Sequence, residues 1–138
     1  MIKLIIGNKG SGKTKKLIDL VNTTAESSKG NVVCVEKGDT LTYSITHKAR
    51  LVDAETYGIS GYGELYALLC GIHSSNHDVT DIFVDATLRL GIRDYEALAD
   101  FFVRLSAAAE ESNTNYIFTV SCAKEDLPAR IFDVAEEI

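Results

Sequence analysis

The chain has 138 residues, 46% of them hydrophobic and 25% charged, a balance that fits one compact domain over residues 1–138 with a real core. A net charge of −6 argues against general nucleic-acid binding through a large basic surface, and no apolar run approaches the ~18 residues needed to cross a bilayer. Cys34, Cys70 and Cys122 are an odd count at scattered positions, so no disulfide framework is expected and a reduced, cytoplasmic setting is the default.

Ile2 to Ile6 reads as the first strand, so a signal peptide is not expected. The next eight residues are Gly7, Asn8, Lys9, Gly10, Ser11, Gly12, Lys13 and Thr14. They match G-x-x-x-x-G-K-[S/T] at every fixed position, and a helical pattern comes after them. Strand before and helix after is the context of a Walker A phosphate loop. The glycines let successive N–H groups converge on one anion. The helix N-terminus adds unsatisfied N–H groups and the positive end of its dipole. Lys13 is placed to reach the β- and γ-phosphates of a nucleotide, and the Thr14 hydroxyl to bind Mg²⁺. Lys15, from the only basic cluster (Lys13, Lys15, Lys16), joins this anion-binding set.

The helix carries Leu17, Ile18, Leu20 and Val21 inward and ends in the polar run Asn22–Gly30. Val32–Glu36 is apolar enough to be a strand buried on both faces. Asp39–His47 reads as either a short helix or an irregular crossing, and Ala49–Asp53 as a short strand. Ser60 is placed to cap a helix bearing Tyr62, Leu65, Tyr66, Leu69 and Ile72, with a polar loop from His73 to His77 after it. Ile82–Asp85 is a strand. Asp94 caps a long helix with Tyr95, Leu98, Phe102, Leu105 and Ala109 on one face. Tyr116–Val120 is the last clear strand, and Leu127, Ile131, Val134 and Ile138 suit a short C-terminal helix or an edge strand. The alternation predicts an α/β protein with a mainly parallel sheet of about five strands.

A phosphate loop needs a carboxylate for its magnesium shell. Ile82-Phe83-Val84-Asp85 is three apolar residues and then an acid as the strand ends. Ligands bind at the carboxyl ends of parallel strands, so Asp85 is expected to face Thr14. Asp81, at the other end of that strand, reads as a solvated strand start.

With Gly7–Thr14 and Ile82–Asp85 together, the chain resembles the P-loop NTPases over nearly its whole length. The resemblance implies their three-layer fold and the strand order of the recombinase-like branch, with Tyr116–Val120 between the Walker A and Walker B strands. Ser121, at the end of that strand, then lies where such proteins keep a polar sensor near the γ-phosphate. More closely, the chain resembles small stand-alone bacterial ATP-binding proteins that share the GxKGSGKT–Lys-Lys opening and a short acidic tail; that resemblance implies no activity. One departure matters. Many members of the branch place a water-orienting glutamate after the Walker B aspartate, and here the position is Ala86. Glu36, ending the second strand on the same rim, is the substitute acid, beside a reading as a surface turn residue.

Arg50, Arg89 and Arg93 are arginine-finger candidates by residue type alone; a finger from a neighbouring subunit would make turnover depend on assembly as a homo-oligomer or with a protein partner. Cys70, His73 and His77 form C-x₂-H-x₃-H without an evident fourth ligand, which favours a helix end over structural zinc. Tyr57 and Tyr62 flank glycines, where a base could stack, though packing is the simpler role. The expected function is Mg²⁺-dependent ATP binding with weak or partner-dependent ATPase activity, as a nucleotide-controlled switch or accessory protein. The alternatives are a nucleoside-type small-molecule kinase and a non-hydrolysing ATP-binding assembly module.

Overall fold

The computed structural model describes residues Met1–Ile138. Ten helices and strands run in order: β1 (Ile2–Gly7), α1 (Lys13–Ser27), β2 (Asn31–Glu36), β3 (Ala49–Asp53), α2 (Tyr62–Ser75), β4 (Val79–Asp85), α3 (Thr87–Leu90), α4 (Tyr95–Ser112), β5 (Asn115–Ser121) and β6 (Ala135–Glu137). The strands form one sheet in the order β3-β2-β4-β5-β1-β6. Every neighbouring pair is parallel, so all carboxyl ends lie along one rim. The α/β architecture is as expected, with six strands rather than about five. β5 lies between β1 and β4.

Alternation along the strands builds two cores. Ile2, Leu4, Val33, Val35, Ile82, Val84, Tyr116, Phe118 and Val120 face α2, α4 and the C-terminal segment. Ile5, Val32, Cys34, Phe83 and Ile117 face Leu17 and Val21 of α1, with Leu41 and Ile45 closing that layer. Central parallel strands are covered on both sides, which explains their nearly unbroken apolar runs. On the α4 side, Phe102 and Phe101 meet Phe118 at ring-centroid distances of 5.0 and 5.8 Å, both near edge-to-face.

Asp94 caps α4 as expected, its Oδ1 accepting from the N–H groups of Glu96 (3.0 Å) and Ala97 (3.1 Å). Three other expectations change. The first helix runs on through Asn22 to Ser27; its buried Leu17 and Val21 hold it to the sheet, and local polarity does not end it. Ser60 is not a side-chain cap. The residue before α2 is Gly61, at φ +90°, and the Ser60 N–H donates to Glu64 Oε1 at 2.9 Å. His73 belongs to α2, which ends at Ser75. Residues 39–47 are turns, and Leu127–Ile138 splits into a 3₁₀ turn at Ala129–Asp133 and the edge strand β6. No helix is long and apolar enough to cross a membrane.

Candidate functional site

Strand parity assembles the site. Glu36 has the parity of Cys34, Asp85 that of Phe83, and Thr119 that of Ile117, so all three point to the α1 side of the sheet near its carboxyl rim. Register places Asp85 beside Glu36, and Gly7 beside Ser121. Thr14, in the first turn of α1, is 71 residues from Asp85, yet its Oγ1 lies 3.5 Å from Asp85 Oδ2, the outer limit of a hydrogen bond. Thr119 is fully buried, and its hydroxyl donates a short hydrogen bond to the other oxygen, Asp85 Oδ1. One carboxylate is thus gripped from the sheet side and turned toward the start of α1. Nothing local in the sequence marks Thr119, because a threonine inside a strand is ordinary.

The loop Gly7–Thr14 has the conformation its glycines permit. Gly10 and Gly12 sit at φ +85° and +87°, where a side chain is strained. A Cβ on Gly7 would lie 2.4 Å from Ser11 Oγ. Gly12 precedes α1 with no side-chain cap, so the first-turn N–H groups have no intrahelical acceptor and are open to an anion. Lys13 is buried along its stem, and its Nζ donates to the Asn8 carbonyl at 3.1 Å, folded back across the loop.

A cleft of about 660 Å³ opens over this loop. Its walls include Lys9, Gly10, Gly12, Lys13, Thr14 and Lys15 from the loop and α1, Asp85 and Ala86 from the tip of β4, Arg89 and Arg93 beyond it, and Ser121. Five cationic side chains thus face one carboxylate, in a chain whose net charge is −6. Such local inversion draws anions into a site. Arg93 is fixed in place: its Nη1 donates to the Ser121 carbonyl (3.1 Å) and to Tyr95 Oη (3.2 Å). Arg89 has no such anchor. In the sequence both arginines are candidates by residue type only, and their place in the cleft depends on the turn through α3.

Glu36 takes a different place. It is buried, with Oε1 accepting from Thr40 Oγ1 (2.8 Å) and Oε2 from the Leu41 N–H (2.9 Å). It holds the turn that carries Leu41 and Ile45 onto the sheet, and it does not line the cleft. It is not a surface residue either. Between the two acids, Cys34 is buried; burial first, then the charges of Asp85 and Glu36, pushes its thiol up to about 12.

The remaining candidates lie elsewhere. Arg50 and Tyr57 line a separate groove beside the edge strand β3. Tyr62 packs on Gly91 and on Phe101, at 5.2 Å between centroids, and donates to the Ile92 carbonyl. The His73 ring meets the Tyr116 ring edge-on at 6.4 Å, and burial lowers its pKa, favouring the neutral form. Cys70 and His73 are on α2 and His77 lies beyond it. No group of three or more His, Cys, Asp or Glu side chains is placed to hold a metal ion. Thr14 and Asp85 offer one hydroxyl and one carboxylate. That is too few to retain Mg²⁺ alone, but it fits an ion that also takes phosphate oxygens and water.

No protein-family model matches the chain, and no curated protein matches it either. What the site can do is therefore carried by its own geometry.

Proposed function

We propose that this protein is a P-loop NTPase that binds ATP with Mg²⁺ at the Gly7–Thr14 loop and turns it over slowly, as a nucleotide-controlled switch or accessory protein. The observation that supports this most is the approach of the Thr14 hydroxyl to the Asp85 carboxylate across the carboxyl rim, above a loop of G-x-x-x-x-G-K-T sequence.

Each residue then has a task. Open N–H groups at the start of α1, with Lys13 released from Asn8, cradle the β- and γ-phosphates. Thr14 and Asp85 hold the metal, which neutralises charge between those phosphates. Lys9 and Lys15 raise the local positive potential. Ser121 lies at the rim as a polar contact for the terminal phosphate. Ala86 offers no group to orient water, and Glu36 could do so only by leaving Thr40 and Leu41. Slow turnover is the consequence of both facts.

Calorimetric titration with ATP, GTP, ADP and AMP, each with and without Mg²⁺, tests the reading. ATP should bind with a clear magnesium dependence, and Lys13→Ala should remove most of the affinity while leaving the melting temperature in place. Undiminished affinity in Lys13→Ala would overturn it.

A further inference from the structure

The cationic cleft contains more than a phosphate loop needs, and one of its arginines is positioned with care. Arg93 comes after α3 and reaches back to the tip of β5. There its Nη1 is held by the Ser121 carbonyl and the Tyr95 hydroxyl. Ser121 is the register partner of Gly7, the first residue of the phosphate loop. The Arg93 guanidinium is therefore pinned one strand away from the loop, on the same rim.

Arg93, Lys13 and Ser121 line the same cleft. Arg93 enters none of the protein's ion pairs. Only the Nη1 end of its fork is engaged, so the other donors of a rigid, planar guanidinium remain for a ligand. A cation fixed beside other cations, with no anion of its own, is suited to a charge that arrives with the ligand.

We infer that Arg93 reads the terminal phosphate of the bound nucleotide from within the same chain, and so discriminates nucleoside triphosphate from diphosphate. This rests on the proposed nucleotide site. It makes a neighbouring subunit's arginine unnecessary for recognising the triphosphate state. Arg89, on the same wall but without an anchor, contributes field rather than geometry.

The test is calorimetry with Mg-ATPγS and Mg-ADP on wild type, Arg93→Ala, Arg93→Lys and Tyr95→Phe, with melting temperatures as the folding control. Arg93→Ala should weaken ATPγS binding about tenfold or more, the loss of about 1.4 kcal/mol, and leave ADP binding within about twofold. Arg93→Lys should recover only part of the loss, because an ammonium lacks the planar fork. Tyr95→Phe should weaken ATPγS binding in the same direction by less. Equal losses for both nucleotides, or no loss for either, would overturn the assignment. A failure of the underlying site looks different: wild type would bind neither nucleotide, or Lys13→Ala would bind both as well as wild type does.

Discussion

The tips of β2 and β4 end alike in sequence and differ in use. Each strand is an apolar run closed by an acid, Glu36 and Asp85. The two residues are register partners on adjacent parallel strands and point to the same face. Yet Glu36 is buried and consumed by its own succeeding turn, through Thr40 and Leu41, whereas Asp85 faces the cleft between two threonine hydroxyls from distant parts of the chain. The difference lies in the path the backbone takes as it leaves each strand. After β2 the chain folds back over the α1 face and needs an internal acceptor. After β4 it turns away through Thr87–Leu90, leaving the carboxylate uncovered. A carboxylate becomes a ligand-facing group when the local backbone makes no claim on it.

Exchanging the two roles by mutation should give opposite phenotypes. The largest effect is expected at Asp85. Asp85→Asn should weaken ATP binding in the presence of Mg²⁺ by more than about tenfold, since a charge-assisted interaction of about 1.5–3 kcal/mol is lost, while metal-free nucleotide binds nearly as before. Equal affinity with and without the metal in wild type would remove Asp85 from the metal site. Glu36→Ala should do the reverse. It leaves the Thr40 hydroxyl and the Leu41 N–H without their acceptor, at a cost of about 1–3 kcal/mol in folding stability, and hydrogen exchange should quicken over residues 39–45. Magnesium dependence should survive.

Thr119 sharpens the comparison, because only the Asp85 carboxylate has a buried donor holding it from the sheet side. Thr119→Val keeps the shape and removes the hydroxyl. Magnesium affinity in the ternary complex should fall about tenfold, the lower end of what loss of an outer-shell partner costs, and Thr119→Ser should restore it. Unchanged magnesium affinity in Thr119→Val would mean that Asp85 is positioned without it.

Turnover separates the two acids more finely. Steady-state hydrolysis should run well below the ~1–100 s⁻¹ typical of kinases, since Ala86 supplies no group to orient water. Glu36→Gln should lower this rate only slightly, because both Glu36 oxygens are already engaged. Abolished turnover with intact ATP binding would show that Glu36 leaves Thr40 and Leu41 during the reaction and acts on water.

The smallest effect concerns Cys34, which lies under both carboxylates. With its pKa pushed up to about 12, almost none of its thiol is ionised at pH 8, and the thiolate is the reactive form. Iodoacetamide at that pH should label Cys70 and spare Cys34, as read by peptide mass spectrometry. Because burial is the first cause of the shift and Asp85 only the second, Asp85→Asn should not expose Cys34 to labelling. Rapid labelling of Cys34 in the native protein would contradict its burial.

Much of this was legible in the residues. The glycine spacing of Gly7–Thr14 dictates where left-handed backbone is tolerated, and Gly10 and Gly12 take it. The apolar runs ending at Glu36 and Asp85 specify buried parallel strands, and Asp94 announces the start of α4. These are local properties: conformational freedom, period and capping act within a few residues. Three-dimensional packing decided the rest. Whether Glu36 or Asp85 faces the cleft depends on how each succeeding turn satisfies its backbone. That α1 runs to Ser27 depends on the core beneath it. The C-terminal apolar residues fit a helix or a strand equally well, and the free edge of β1 drew Ala135–Glu137 into the sheet. Thr119 and Arg93 carry no local signal. A buried hydroxyl gains its role from the carboxylate on the next strand, and a guanidinium gains its role from the carbonyl that anchors it. Both partners are brought by the crossovers of the sheet from positions 28 or more residues away.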